Sequence, residues 1–245
     1  MATFKHISSK NADYGAAEQY LTFEHDEFTM KPTLDENGRL MLREDYRIAT
    51  LNCGDEDFAV ACMRSNLRYG KNQKREDVKS HHYIISFDPR DAVDNGLTVD
   101  RAQALGEEFC RKQFPGHQAI VCTHPDGHNH SGNIHVHIVI NSLRIAEVPF
   151  LPYMDRPADT RAGCKHRCTD AAMEYFKAEV SVSIGRSGKG RQSWTRKLPP
   201  CQPRSSQPSP RSLKQTRKNY GRPYAPRCPL PQAMASSPPF SCNRA

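Results

Sequence analysis

The sequence has no long apolar run and no cysteine framework. No apolar stretch approaches the roughly 20 residues of a membrane-spanning helix, and residues 1–15 lack the apolar segment of a secretory signal. The nine cysteines are odd in number and scattered without the spacing of a disulfide scaffold, which favours reduced thiols. We therefore expect a cytoplasmic protein without membrane insertion.

Acidic residues are absent from the C-terminal quarter of the chain. Of the 35 Lys and Arg and the 27 Asp and Glu, residues 181–245 hold 13 basic side chains and no acidic one. The net charge of +8 therefore belongs to this tail, which also holds 11 of the 18 prolines and should not form a packed core. We predict a domain over residues 1–180, for which truncation is one interpretation, and a disordered basic tail over 181–245. An out-of-frame segment and a natural basic linker are both open interpretations of the tail.

Histidine is concentrated in one stretch, Thr123–Asn141, which holds five of the eleven histidines. Its last part, residues 134–141, has the composition of a strand, and the alternation of side chains along a strand places His135 and His137 on the same face. His124 precedes a Gly/Asn/His loop that can return it to this pair. We predict that these three histidines bind one divalent ion with open coordination positions, as a catalytic metal requires.

The loop between these histidines offers further candidates. His128 and His130 are alternative ligands, although a Gly/Asn/Ser setting favours solvated side chains. Asp126 is a candidate general base or a partner that orients a histidine, and a carboxylate that caps the loop is an equally simple interpretation. Imidazole ligands suit Zn²⁺ and Mn²⁺, and Mg²⁺ fits if a substrate phosphate supplies oxygen ligands.

Hydrophobic patterns predict alternating strands and helices. Strands are predicted at residues 4–7, 81–89, 118–123 and 134–141, and helices at 13–23, 55–70, 98–114 and 159–180, with a possible break of the last helix at Gly163. Residues 33–42 are interpreted as a hairpin or a plain loop around the turn DENGR. This order is typical of a compact α/β unit with the histidines near one end of a sheet.

Two other patterns lack the spacing that their chemistry needs. GRSGKG (Gly185–Gly190) does not have the GxxxxGK[ST] order of a phosphate-binding loop, which argues against nucleotide binding. Cys164, His166 and Cys168 have no fourth ligand at the spacing of a zinc site. We interpret these three side chains as ordinary residues.

The stretch HPDGHNHSGNIHVHIVIN resembles the third motif of the plasmid and transposon relaxases, also called mobilization nucleases. QYLTF (Gln19–Phe23) resembles the first motif of that family, which implies that Tyr20 is the nucleophile. HYIISF (His82–Phe87) resembles the second motif and implies that Ser86 helps to hold DNA near the nick. The three motifs occur in the family's order within residues 1–180.

The resemblance also implies a fold and a set of partners. The expected fold is α/β (α+β) and HUH endonuclease-like, with a central, largely antiparallel sheet that is flanked by helices and carries the metal histidines on an inner strand. His82 and Asn141, within the second and third motifs, are further candidates for DNA contact. The expected substrate is single-stranded or melted DNA at an origin of transfer in the bacterial cytoplasm, with accessory DNA-binding and coupling proteins as partners.

The residues are suited to strand transfer. A metal ion held by three histidines can stabilise negative charge on a scissile phosphodiester while Tyr20 attacks phosphorus, which leaves a 5′-phosphotyrosine and a free 3′-hydroxyl. A phenol with an ordinary pKa of about 10 needs a base or the field of the metal to act in this way. Tyr14 is the competing nucleophile. A phosphoesterase that uses activated water and a noncatalytic, zinc-stabilised DNA-binding module are the rival functions.

Overall fold

A computed structural model describes residues 2–26, 29, 31–125 and 132–185. The elements are β1 (Thr3–Ser9), α1 (Gly15–Thr22), β2 (Arg47–Leu51), α2 (Phe58–Tyr69), β3 (Ser80–Ser86), α3 (Pro89–Asn95), α4 (Val99–Gln113), β4 (His117–His124), β5 (His135–Arg144) and α5 (Asp170–Gly185). None of the helices in these ranges is long and apolar enough to span a membrane. Asp126, His128, His130 and residues 186–245, with the predictions made for them, lie outside the described residues.

The five strands form one sheet in the order β1-β3-β5-β4-β2. Every pair of neighbouring strands is antiparallel, so the expected antiparallel sheet with flanking helices is confirmed. The central strand, β5, is buried along nearly its whole length. This burial explains the three consecutive apolar residues that follow His137, since both faces of β5 are covered by other parts of the chain.

The two faces of the sheet carry separate hydrophobic clusters. On one face Val136, Ile138 and Ile140 of β5 pack with aromatic side chains of α4 and α5, including Phe109 and Phe176. This is the face that the alternation along β5 predicts for its aliphatic residues. The other face carries the smaller cluster, which joins α1 and α2 to the sheet; its buried members are Tyr14, Leu21, Cys53, Phe58, Ala61, Cys62, Ile120, Cys122 and Val139.

Local sequence signals account for most helix ends. Thr98 caps α4, with its hydroxyl accepting a hydrogen bond from Arg101 N at 3.2 Å. The cap of α2 is Asp57, whose carboxylate accepts from Val60 N at 2.8 Å. Gly70 ends α2 in the left-handed conformation, with φ of 59°, which glycine adopts without steric cost.

The predicted hairpin is confirmed around the turn at residues 35–39. Leu34 and Leu40 form an antiparallel bridge, and Asp35 N donates to Arg39 O at 2.8 Å. Two short elements, β2 and α3, were not predicted from the sequence. β2 is an edge strand with three of its five side chains exposed, so it lacks an apolar run. In α3, Pro89 begins the helix after an Asp88 cap, a position that suits proline.

The prediction of a helix over residues 159–180 is wrong in its first half. A 3-10 turn occupies Pro157–Thr160, and Gly163 has φ of +84°, which ends any helical path. The following backbone runs beside the end of β5, where Arg144 N donates to Cys164 O at 2.8 Å and His166 N donates to Ser142 O at 2.6 Å. The helix α5 therefore begins only at Asp170.

Candidate metal centre

The register of the two inner strands brings the predicted histidines together. His124 ends β4 directly opposite His135, which begins β5. His137 lies two residues further along β5, on the same face as His135 because side chains alternate along a strand. One ring nitrogen from each of the three histidines lies within 4.8 Å of the other two, and within the described ranges no other group of His, Cys, Asp or Glu has such a geometry.

Backbone carbonyls fix the orientation of two of these rings. His124 Nε2 lies 2.8 Å from the Leu21 carbonyl oxygen, and His135 Nδ1 lies 3.1 Å from the Asn133 carbonyl oxygen. Since a carbonyl only accepts, both of these ring nitrogens must carry the hydrogen. The nitrogens that remain, His124 Nδ1 and His135 Nε2, are 3.3 Å apart. In neutral rings these atoms present lone pairs to each other, an arrangement that a cation between them stabilises.

The third ring is held by another histidine. His137 Nδ1 lies 2.8 Å from His82 Nε2 on β3, which leaves His137 Nε2 as the nitrogen directed to the other two rings. Such outer partners, which set the tautomer and the ring plane, accompany metal-bound histidines in general. His82, predicted from the motif to contact DNA, therefore contacts a candidate metal ligand.

Burial favours the neutral form of His82, His124 and His137. It lowers the pKa of His124 to about 3, with a further contribution from the positive charge of Arg43. Burial likewise lowers the pKa of His82 to about 4 and holds the pKa of His137 well below its ordinary value. Because only a neutral imidazole has the lone pair that binds a metal, the three histidines are suited to hold a divalent ion.

The first helix connects the metal centre to the predicted nucleophile. The ring of Tyr20 lies edge-on to His137, with 6.0 Å between centroids, and 6.2 Å from the ring of His82. Tyr20 is half-buried. The next residue, Leu21, supplies the carbonyl that orients His124, so one turn of α1 places the phenol and supports a ligand together.

Tyr14 lies in the protein interior. It is 4% exposed, its hydroxyl donates to Lys79 O at 3.1 Å, and the same oxygen accepts from Asn66 Nδ2 at 2.7 Å. Burial raises the pKa of this phenol to about 12. These contacts disfavour Tyr14 as a nucleophile.

Asn141 belongs to the same interior hydrogen-bond network. It is 0% exposed, and its amide donates to Gln118 Oε1 at 3.0 Å while its oxygen accepts from Leu143 N at 3.2 Å. A side chain so enclosed has no surface for DNA. The prediction that Asn141 contacts DNA therefore does not fit this position. A buried polar side chain makes its hydrogen bonds with neighbouring groups in the interior.

Ser86 lies at the edge of the metal centre. It is half-buried and stands directly opposite His135 across the β3–β5 pair, on the same face of the sheet. The outer strand β1 continues this face with three exposed side chains, Thr3, Lys5 and Ile7. We call these three residues together with Ser86 the open strip.

Sequence reasoning missed three groups that act on the candidate ligands. The carbonyls of Leu21 and Asn133 carry no sequence signal, because every residue has a carbonyl. Arg43 was also missed: its N donates to Thr22 O at 3.0 Å, and its charge lowers the pKa of both His124 and His137. No sequence signal marks Arg43, which follows the first motif by 20 residues. Asp126, the candidate base, lies outside the described residues.

The family match described next covers the second and third motifs. Residues 40–148 match the family described as "Relaxase: MobA/VirD2-like, nuclease domain". The chain is 31% identical over 157 residues to Protein rlx of Staphylococcus aureus, a match that covers 60% of this chain and 42% of that protein. The chain thus spans about two fifths of the length of this curated relative.

Two solved structures are similar at low identity. One, described as the molecular basis of vancomycin resistance transfer in Staphylococcus aureus, has 14% identity, a TM-score of 0.45 and coverage of 76% of this chain and 92% of that chain. The other, the metal-bound conjugative relaxase TrwC in complex with oriT DNA, has 10% identity, a TM-score of 0.41 and coverage of 76% and 69%. Residues 40–148 are thus similar to the MobA/VirD2-like nuclease domain of relaxases, and the chain is similar to Protein rlx.

Proposed function

We propose that the chain nicks and rejoins one DNA strand by metal-dependent transesterification, which initiates conjugative transfer or mobilization at an origin of transfer. The observation that carries this proposal is the meeting of four side chains from three elements. The nitrogens of His124, His135 and His137 lie within 4.8 Å of one another, and Tyr20 lies 6.0 Å from His137. The match to the relaxase nuclease family supports the same activity.

Each residue has a distinct part in the proposed reaction. His124, His135 and His137 would hold Mn²⁺, Mg²⁺ or Zn²⁺, which when bound supplies positive charge at the non-bridging oxygens of the scissile phosphate. The Tyr20 phenolic oxygen attacks phosphorus, and the bond from phosphorus to the 3′ oxygen breaks. The 3′ oxygen takes up a proton, and the 5′ phosphate stays on Tyr20. The reverse attack by the 3′-hydroxyl rejoins the strand without an external energy source.

Two groups are candidates to accept the phenolic proton. Asp126 is the candidate from the sequence and lies outside the described residues. His25 is the candidate from the structure, since its ring lies 5.3 Å from that of Tyr20. His25 Nδ1 lies 3.0 Å from the Phe23 carbonyl oxygen and must donate to it, so Nε2 keeps a lone pair that can accept a proton.

The open strip is the proposed path of the single strand. It lies on the histidine face of the sheet and ends at Ser86, opposite His135, where we propose contact with a phosphate near the nick. Lys5 supplies a positive charge on this path, and the basic residues of the tail supply further salt-dependent attraction to DNA. Accessory DNA-binding and coupling proteins, and action in the bacterial cytoplasm, complete the proposal on the basis of the family match.

The test uses the full chain, Mn²⁺ and labelled single-stranded DNA that carries an origin of transfer. We expect a protein–DNA adduct that survives denaturation, is retained in Tyr14→Phe, and is absent from Tyr20→Phe and after chelation. DNA cleavage without an adduct would instead support a phosphoesterase that uses water. DNA binding without cleavage would support a noncatalytic binding module.

A further inference from the structure

Arg43 lies beside the first motif in space although it is remote from it along the chain. Its backbone nitrogen donates to Thr22 O at 3.0 Å, and the preceding residue, Leu42, forms an antiparallel bridge with Phe23. The residue before Thr22 supplies the carbonyl that orients His124. The segment that carries Arg43 thus runs next to the end of α1, at the place where α1 supports a candidate metal ligand.

The side chain of Arg43 brings a permanent charge to this place. The residue is half-buried, and its Nε is closed off from solvent. After burial, the positive charge of Arg43 is the largest cause of the lowered pKa of His124. Burial and the neighbouring histidines lower the pKa of His137, and Arg43 adds to this effect. Because the influence of a charge falls with distance and arginine stays protonated, a fixed cation lies close to both ligands.

The metal centre gathers positive charge without an acidic ligand. Among the residues that the structure describes, the group that can hold an ion consists of three histidines and contains no carboxylate. Neutral imidazoles cancel none of the charge of a bound divalent ion, and the guanidinium of Arg43 adds to that charge. Like charges at short range repel each other, so Arg43 opposes the binding of metal alone. A cation at such a place is favourable when an anion binds there together with the metal.

A phosphodiester has the chemistry of that anion. Its negative charge is shared by non-bridging oxygens, to which a guanidinium donates paired hydrogen bonds. Further negative charge gathers on the same oxygens when a phenol attacks phosphorus, and the ring of Tyr20 lies 6.0 Å from that of His137. The phosphate that Tyr20 attacks is therefore the group that Arg43 is suited to bind.

We propose that Arg43 binds the scissile phosphodiester at the metal centre and couples the binding of DNA to the binding of metal. Its guanidinium donates to a non-bridging oxygen and keeps this contact as charge builds up there. DNA and metal then each bind more tightly when the other is present, because the phosphate offsets the repulsion between the metal and the guanidinium. This inference rests on the proposed strand transfer and adds a residue that contacts its substrate.

The test measures equilibrium binding by the full chain with Tyr20→Phe, the parent protein, so that no strand is cut. Fluorescence anisotropy of labelled single-stranded DNA that carries an origin of transfer is recorded with Mn²⁺ and after chelation. The ratio of the two affinities is the coupling, and we expect Mn²⁺ to strengthen DNA binding by the parent. Adding Arg43→Met should weaken DNA binding with Mn²⁺ by about 10- to 100-fold, as for loss of hydrogen bonds to a charged group, and should reduce the coupling.

Metal binding without DNA separates this role from a structural one. Because Arg43→Met removes a like charge, it should bind Mn²⁺ at least as tightly as the parent, and up to about 10-fold more tightly. Loss of a residue that only supports the ligands would have the opposite effect. Calorimetric titration with Mn²⁺ measures the difference, and weaker binding of Mn²⁺ by Arg43→Met would overturn the proposal.

Two further variants complete the design. Arg43→Lys keeps the charge without the paired donors, so it should retain part of the coupling and should bind Mn²⁺ alone as the parent does. Arg39→Met removes an exposed arginine from the hairpin that precedes Arg43 and should leave both affinities as they are in the parent. An equal loss of DNA affinity in Arg39→Met and Arg43→Met would show a general effect of charge and overturn the proposed contact.

The outcomes distinguish this inference from the proposed function. Coupling of the same size in Arg43→Met and in the parent would overturn the assignment of Arg43 and leave strand transfer standing. Coupling that is absent from the parent itself would contradict both. A loss of coupling in Arg43→Met, in a protein whose Tyr20 forms no adduct with DNA, would support the contact and reject strand transfer.

Discussion

At the scale of single residues, one hydrogen bond joins the metal centre to the neighbouring strand. His82 Nε2 lies 2.8 Å from His137 Nδ1, and outer partners of this kind contribute about 10- to 100-fold to metal affinity. We expect His82→Ala to weaken the binding of Mn²⁺ or Zn²⁺ by about that factor. A competition titration against a chelating dye measures it.

The control for this prediction removes a histidine from the other side of the sheet. His6→Ala deletes a ring that contacts His81 at 2.9 Å and leaves the three candidate ligands untouched. It should keep wild-type metal affinity. An equal loss of affinity in both variants, or none in His82→Ala, would contradict the assigned role of His82.

Tyr14 is predicted to matter for stability and not for strand transfer. Its hydroxyl accepts from Asn66 Nδ2 at 2.7 Å and donates to Lys79 O at 3.1 Å. Tyr14→Phe leaves both buried partners short of a hydrogen bond, so the free energy of unfolding should fall by about 1–3 kcal/mol. Urea denaturation measures this loss. A stability equal to that of wild type would show that the hydroxyl is not part of the interior network.

The sequence predicts the candidate metal ligands better than it predicts the groups that orient them. His135 and His137 share a strand face by simple alternation, and a loop that returns to the sheet suffices to bring His124 beside them. The support of His124 comes from Leu21, 103 residues away along the chain. No pattern in the sequence marks a single carbonyl, so this contact depends on how α1 packs on the sheet.

At the scale of elements, the close packing of α4 on the sheet depends on one glycine. A Cβ on Gly106 would overlap the side chain of Val136 and lie 3.3 Å from Val121 Cγ1. Because Val136 separates the two histidines of β5, this contact lies directly behind the metal centre. Gly106→Val should reduce the free energy of unfolding by about 3 kcal/mol, as overpacking does.

Chemical denaturation of a matched pair tests this contact. Glu108→Val places the same side chain on the exposed side of the same helix and should cost less than about 1 kcal/mol. Similar losses in the two variants would mean that helix propensity, and not the contact with β5, decides the effect.

The elements that could be predicted are those that bury a continuous stripe of apolar side chains. β3, β4 and β5 have apolar runs, and the stripe of α4 follows a clear cap at Thr98. The edge strand β2 has three exposed positions of five, so its sequence lacks the apolar pattern by which a strand is recognised. The start of α5 was misplaced because residues 163–166 bond to the end of β5, a tertiary contact that helix propensity does not register.

At the scale of the whole molecule, charge is divided unevenly along the chain. All 13 Lys and Arg of residues 181–245 lie after residue 185, and the chain up to residue 180 has more acidic than basic side chains. The affinity for single-stranded DNA should therefore depend strongly on the tail. Each phosphate contact contributes about 0.7 to the slope of log affinity against log salt.

We expect a chain of residues 1–185 to bind single-stranded DNA with a shallower salt dependence than the full chain. This shortened chain should fold, since its buried clusters lie between Tyr14 and Val180. Fluorescence anisotropy at several salt concentrations measures both slopes. Equal slopes would show that the basic residues after position 185 do not contact DNA.

The central claim is that Tyr20, beside a metal held by His124, His135 and His137, forms the covalent bond to DNA. The most direct measurement is mass spectrometry of the denatured adduct after protease and nuclease digestion, which identifies the modified peptide. We expect a nucleotide on the peptide that contains Tyr20, formed only when a divalent metal ion is present. A nucleotide on Tyr14 or any other residue, or an adduct that forms equally after chelation, would show that Tyr20 is not the metal-dependent nucleophile.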